Sequence, residues 1–365
     1  MKSMISLRLK LGVSILSLCM FFGMAEATLR LVGTVAPGDQ TRNLPLWVIS
    51  NIQSQFLVPD PLRFWKLPAG AGKYGINSLG MLGEEVRPEK EPDVFRIICL
   101  GDSITFGFGV HSSQTFAHRL QRLLNDTRTP VVYEVWNAGV PGYSSLQGRR
   151  YFHSELAAYE PDVVTVCFGR NDSRFLHQEG GYLPDREVRI QPAWITGLRG
   201  LMNHSRIYQF LRAGFITVRR LSVETPDQLA QVSRVTPKEF RENIDSLLDE
   251  ITARGATPVL LTAPVRLPRI GNYNDILRDV AATRGLILVD TERSFNEIGN
   301  ERLLVDDCHP NPLGHEYIAG RLFRAMSPLI SERFHLAPGA LSIPDRGDFT
   351  WELPAVSSTT QAVAP

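Results

Sequence analysis

From residue 94 onward, short and almost uninterrupted apolar runs alternate with stretches whose apolar residues recur every three or four positions. The runs are Val94–Leu100, Val131–Trp136, Asp162–Phe168, Thr257–Ala263 and Leu286–Asp290. Each is rich in β-branched residues, the pattern of strands covered on both faces. Between them, Phe116, Leu120, Leu123 and Leu124 mark one helical stripe, and Phe240, Ile244, Leu247, Leu248 and Ile251 mark another. The second helix opens on Thr236 as N-cap, Pro237 at the first helical position and Glu239 closing a capping box, with Gly255 placed to end it. Further helices are predicted from about Asn272 to Arg284, stopped by Gly285, and from Pro312 to about Met326. Strands alternating with helices imply parallel pairing through right-handed crossovers, hence an α/β/α three-layer sandwich.

The flanks have another texture. Residues 28–93 read as an irregular lead-in punctuated by turns at Pro59-Asp-Pro61, Ala69-Gly-Ala-Gly72 and Asn77-Ser-Leu-Gly80. The ordered unit is expected over 94–334, interrupted at 173–235 by a long excursion with amphipathic helical stretches at 194–202 and 207–212. A connection of that length is expected to be functional or an inserted subdomain, here a wall or lid over a pocket. The segment 335–365 has little to bury and reads as a mobile tail. Residues 1–27 place Lys2, Arg8 and Lys10 before the apolar Leu11–Ala25, with the small-residue pattern Ala25-Glu26-Ala27 after it. That is the order of a secretory signal, and equally of a retained membrane anchor continuing into Thr28–Gly33. Export follows from both.

Composition narrows the function. With 365 residues, 43% hydrophobic and 21% charged, the chain is ordinary for a globular protein. A net charge of +1 gives no field for gathering nucleic acid, so no nucleic-acid partner is expected. The four cysteines show neither metal-site nor disulfide spacing, and Cys99 and Cys167 sit inside predicted strands as inert packing thiols.

Polar groups cluster where predicted strands end. Gly101-Asp102-Ser103 follows the first, Asn137-Ala-Gly-Val-Pro-Gly142 the second and Gly169-Arg-Asn-Asp172 the third; Asp306-Asp-Cys-His309 lies far downstream. A serine hydroxyl is a weak nucleophile until a base removes its proton. His309 is the expected base, with Asp306 three residues earlier on a tight turn to fix its tautomer; Asp307 should project elsewhere. The other histidines lack such a partner, and His118 and His315, within helices, read as surface groups. An oxyanion needs donors: the backbone N–H of Ser103, that of Gly142, which has no Cβ to block a substrate, and the side chain of Asn171. Arg170 reads first as a solvated or salt-bridged arginine, and otherwise as a cation directed into the cleft toward an acidic or carbohydrate-like substrate.

These four blocks resemble those of the SGNH (GDSL-type) hydrolase superfamily, over roughly residues 94–330. Block I is Cys99-Leu-Gly-Asp-Ser-Ile-Thr-Phe-Gly107, and the others are the segments from Asn137, Gly169 and Asp306 already quoted. The resemblance implies a flavodoxin-like sheet of about five parallel strands and no metal or organic cofactor. It implies Ser103 as nucleophile, His309 as base, Asp306 as its partner, and Ser103, Gly142 and Asn171 as the oxyanion hole. Gly139 competes with Gly142, which is preferred because the family's oxyanion glycine falls five residues after the block's asparagine. The lead-in Asn77–Met81 and the N-terminus are similar to those of exported bacterial members. The motif is not the Gly-x-Ser-x-Gly elbow, because Thr105 takes the place of the second glycine. The activity so implied is a carboxylic-ester hydrolase acting on a small-molecule or glycan ester. The alternatives are an O-acyltransferase using the same acyl-enzyme and a non-catalytic glycan-binding protein. Sequence leaves the acyl group, leaving group and oligomeric state open.

Overall fold

The computed structural model describes residues 2–32, 56–127, 129–174, 184–187, 202, 205–208, 210–211, 233–266 and 271–342. Strands β1 (Val58–Asp60) and β2 (Phe64–Lys66) form an antiparallel hairpin in the lead-in. The main sheet holds β3 (Val94–Gly101), β4 (Val132–Gly139), β5 (Val163–Cys167), β6 (Thr257–Leu261) and β7 (Ile287–Val289). Its order is β4-β3-β5-β6-β7 and every pairing is parallel. The five expected strands are all present. β4 runs three residues past its expected end, because Asn137, Ala138 and Gly139 stay in register with Cys99, Leu100 and Gly101 of β3.

Helices cover both faces: α1 (Lys2–Val32) stands outside the sheet, and α2 (Ser103–Phe106), α3 (Phe116–Asn125), α4 (Ser145–Ser154), α5 (Pro237–Ala253), α6 (Gly271–Arg284), α7 (Thr291–Ile298), α8 (Asn300–Leu303) and α9 (Pro312–Phe334) follow the strands. The α5 capping box forms as the sequence requires: Thr236 Oγ1 accepts from Glu239 N–H at 3.3 Å and Glu239 Oε2 accepts from Thr236 N–H at 2.8 Å. The last helix runs a further two turns beyond Met326, through Pro328. Ile330 on that extension is buried and Phe334 packs edge-on against Phe95 at 5.6 Å, so tertiary packing overrides the breaker.

The lead-in is more ordered than its turn-rich sequence suggests. Trp65, Leu67, Ile76, Met81 and Leu82 join the same hydrophobic core as the sheet. Leu82 also bridges to Asn137 on β4, the outer strand. The rest of that margin is covered by side chains of α3. Gln121 Oε1 accepts the Val135 N–H at 2.8 Å; Asn125 accepts from Tyr133 N–H at 3.0 Å and donates to its carbonyl at 2.8 Å.

Apolar helix α1 includes a span, Leu9–Leu31, long and apolar enough to cross a membrane, and none of it is buried in the protein. A signal sequence has the same properties. Near its end, Glu26 accepts hydrogen bonds from the backbone N–H groups of Arg206 (2.9 Å) and Ile207 (3.0 Å) and from Ser205 Oγ (3.0 Å). Most of the 173–235 excursion, including 194–201 of its expected first helix, lies outside the described residues, as does the tail beyond 342.

Candidate active site

In a sheet of this order the ligand crevice lies beyond the carboxyl ends of the strands, where neighbouring connections leave in opposite directions. That point falls between β3 and β5, and Ser103 and Asn171 follow those two strands. β3 ends at Gly101, where an added Cβ would come within 2.1 Å of Thr105 Oγ1 and 2.8 Å of the Cys167 carbonyl. A larger residue would part β3 from β5 there. Asp102 then caps α2, its carboxylate accepting from Ile104 N–H at 2.9 Å, which sets Ser103 at the first helical position with its Oγ toward the crevice rim.

The imidazole beside Ser103 comes from the other end of the chain. His309 Nε2 lies 2.8 Å from Ser103 Oγ, and Nδ1 lies 2.6 Å from Asp306 Oδ2. Asp306 Oδ1 accepts the backbone N–H groups of Cys308 (2.9 Å) and His309 (2.8 Å), so one carboxylate oxygen shapes the turn while the other holds the imidazole. Burial pushes the Asp306 carboxyl up, but those two N–H groups and the imidazole outweigh it and hold it below the usual carboxylate range. Asp306 is nonetheless 49% exposed. Asn311 caps α9 by accepting from Gly314 N–H at 2.9 Å, anchoring the turn on its far side. The exposed ring of Phe108 stands beside the imidazole, centroids 5.1 Å apart.

Donor groups converge on the same rim. Among the described residues no acceptor takes the N–H of Ser103 or of Gly142. The Gly139 N–H, by contrast, is bound to Asn137 Oδ1 at 3.0 Å, which leaves Gly142 as the glycine with a free donor. Gly142 has φ +79°, a conformation that costs glycine nothing and other residues about 1 kcal/mol or more. Asn171 is buried, and its Nδ2 donates to Asp102 Oδ2 at 2.8 Å and to the Tyr143 carbonyl at 3.1 Å. Both its amide hydrogens thus have partners, so reaching an oxyanion requires sharing one of them in a three-centre bond.

Two buried acids frame this floor. Burial pushes Asp102 up to about 7; the Ile104 N–H pulls it down and the nearby Asp172 pushes it further up. Burial likewise raises Asp172 to about 6, against the hydrogen bonds from Ser145 Oγ (2.6 Å) and Ser145 N–H (2.9 Å). Asp172 therefore ties the third block to the start of α4. Cys308 lies beside His309, and burial raises its thiol to about 11 against the pull of the adjacent Arg170. The Asp306 carboxylate oxygens and His309 Nδ1 beside it are engaged with one another and with the turn. Arg170 is half-buried against Cys308, and its Nε is without a partner.

His315 departs from expectation. It is fully buried rather than on the surface, stacked on Phe116 at 5.9 Å, with Nδ1 accepting the Phe116 N–H at 3.2 Å. Burial drives its pKa down to about 3, so it stays neutral and serves packing. His118 is half-buried. Sequence reasoning missed Trp65, Tyr143, Asp185 and Arg234. All four are buried around the Gly142 loop, and no local motif marks them, since the groups their side chains bond lie 41 to 92 residues away.

Comparison with known proteins places the chain in a family. The GDSL-like lipase/acylhydrolase family model matches residues 99–317. An acetylxylan esterase from Xylanibacter ruminicola is 34% identical over 112 residues, which is 28% of this chain and only 22% of that protein's length. The lipase/acylhydrolase from Enterococcus faecalis is 19% identical with a TM-score of 0.44, covering 64% of this chain and 96% of that one. Axe2, an acetylxylan esterase from Geobacillus stearothermophilus, is 17% identical with a TM-score of 0.45, covering 64% and 94%. The family match runs from late in β3 into the first turns of α9, and the chain belongs to the GDSL-like lipase/acylhydrolase family.

Proposed function

We propose that this protein is an exported serine esterase that removes short acyl groups, acetyl first among them, from carbohydrate. The observation that carries the mechanism is the continuous relay from Asp306 Oδ2 through His309 to Ser103 Oγ, with both links within 2.8 Å. In that reading Ser103 Oγ attacks the ester carbonyl carbon as Nε2 takes its proton. The carbonyl oxygen becomes an oxyanion facing the N–H groups of Ser103 and Gly142 and a shared hydrogen of Asn171. Collapse expels the sugar alkoxide, which leaves as alcohol with the proton from Nε2. Water, deprotonated by the same nitrogen, then hydrolyses the acyl-enzyme to free acid and restores Ser103.

Two observations support a sugar ester as substrate. The matched Xylanibacter ruminicola protein is an acetylxylan esterase. The Phe108 ring, half exposed beside the imidazole, offers the flat apolar platform on which a pyranose can stack. An O-acyltransferase would use the same acyl-enzyme with a sugar hydroxyl in place of water. Retention of α1 as a membrane anchor is supported by Glu26, because cleavage after Ala27 would remove the carboxylate that holds residues 205–207. The test is turnover of acetylated xylo-oligosaccharides and p-nitrophenyl esters by the purified chain beside Ser103→Ala, with intact mass of the membrane fraction. No ester turnover by the parent chain would refute the assignment, and a mass starting at residue 28 would refute the anchor.

A further inference from the structure

Both peptide planes that meet at Gly142 are gripped by residues from outside the catalytic blocks. The Trp65 indole Nε1–H donates to the Pro141 carbonyl at 3.0 Å. In a trans peptide the carbonyl and the following N–H point in opposite directions. The bond therefore aims the Gly142 N–H away from Trp65. On the other side, the Gly142 carbonyl accepts from Arg234 Nη1. Arg234 is itself buried, paired through Nε with Asp185 Oδ1 at 2.7 Å, hydrogen-bonded to Gln147 and laid over the Trp65 ring at 5.3 Å. Asp185 also accepts from Ser144 Oγ, and Tyr143 Oη donates to the Trp65 carbonyl at 2.7 Å.

We infer that Trp65 and the Arg234–Asp185 pair are positioning residues for the oxyanion hole, which clamp the Gly142 peptide so that its N–H is held ready. This rests on the proposed role of Gly142. Three separate stretches of chain thus converge on one amide: the lead-in hairpin through Trp65, the catalytic block through Gly142, and the two ends of the excursion through Asp185 and Arg234. The ends are pinned to the core directly, since Arg234 N–H donates to the Arg174 carbonyl at 2.8 Å and Val235 N–H to the Asp172 carbonyl at 3.1 Å. A free loop at a positive-φ glycine can rotate its peptides at little cost, and rotation would turn the donor out of line. Oxyanion stabilisation depends on donors that need no reorganisation during the reaction.

The test is Trp65→Phe, which keeps an aromatic ring and deletes the N–H, beside Arg234→Lys, which keeps the charge and loses the fork. Each is read as kcat per fluorophosphonate-titrated site, KM for p-nitrophenyl acetate, and inhibition by a phenylboronic acid that mimics the tetrahedral state. Removing a whole oxyanion donor typically costs 10²–10³ in kcat, so misaiming one is expected to cost about 10-fold in kcat with KM within about twofold. Boronate inhibition should weaken by a similar factor. A merely structural role would lower the melting temperature and the fraction of titratable sites while leaving kcat per site alone. Either variant folding with unchanged kcat per site and unchanged boronate affinity overturns the inference; if Trp65→Phe does not fold, Arg234→Lys alone decides. Ser103→Ala run in parallel separates the two readings: residual turnover there refutes the serine mechanism itself, whereas a silent Ser103→Ala with unaffected clamp variants refutes only the clamp.

Discussion

Replacing Asp306 by Asn should damage catalysis more than replacing it by Ala, and the reason lies in how the two carboxylate oxygens are used. Oδ1 accepts two backbone N–H groups of the turn, so an asparagine at this position must keep its oxygen there. Its Nδ2 then takes the place of Oδ2 and donates to His309 Nδ1 across the present 2.6 Å contact. That bond locks the neutral imidazole with its proton on Nε2, where it cannot accept the proton of Ser103. Alanine removes the tether but leaves the tautomer free. Substituting Asn for a buried triad Asp lowers kcat by about 10⁴. Asp306 is 49% exposed, so water partly solvates the imidazolium, and the loss expected for Asp306→Asn is about 10³. For Asp306→Ala it is about 10², a difference of about 1.4 kcal/mol in barrier. The stabilities should order the other way, because Asn keeps both turn bonds and Ala forfeits two hydrogen bonds of about 1 kcal/mol each. The assay is kcat/KM on p-nitrophenyl acetate at pH 8 per titrated serine, with thermal melts of each variant. Asp306→Asn equal to or more active than Asp306→Ala would refute the two-oxygen division of labour.

Four further outcomes are expected. Asn171→Ala should lower kcat by about 10²–10³ with little change in KM, as for loss of an oxyanion donor, and kinetics on a short ester would show it. Phe108→Ala should raise KM for acetylated xylo-oligosaccharides several-fold while leaving p-nitrophenyl acetate unaffected; equal effects on both would remove the stacking role. Gly101→Ala should destabilise the fold by about 1–3 kcal/mol, since its methyl meets the Cys167 carbonyl and the Thr105 side chain, and urea melts measure this. Asp102 has a folded pKa raised to about 7 above its unfolded value, so its contribution to stability is full at acid pH and is lost as pH rises through 7. The stability advantage of the parent over Asp102→Asn should accordingly shrink between about pH 4 and pH 8; a widening gap would contradict the buried-acid reading.

The sheet was legible in the sequence because strands buried on both faces leave a nearly unbroken apolar record, as Ile97–Leu100 and Val163–Cys167 do. Ser103 and His309 were legible for a related reason: each sits in a short polar block immediately against such a record or a helix cap. What sequence did not disclose depends on contacts made at long range. Trp65 lies among turn residues, and its value comes from a carbonyl 76 positions away. Arg234 carries no motif at all. His315 looked like an exposed helical residue because its helix is polar nearby, yet the Phe116 N–H and ring enclose it. The apolar spacing ends α9 near Met326, whereas the burial of Ile330 and the packing of Phe334 on Phe95 carry the helix on to Phe334.

The side chains laid along β4 bear on how the folded chain avoids pairing with its neighbours. An outer strand with open amides templates pairing with a neighbouring chain, the first step toward aggregation. Gln121 and Asn125 occupy those amides, and Leu82 reaches the next position. Two carboxamides rather than charge thus close this margin, and under the export proposed above they would do so where ATP-driven rescue is absent.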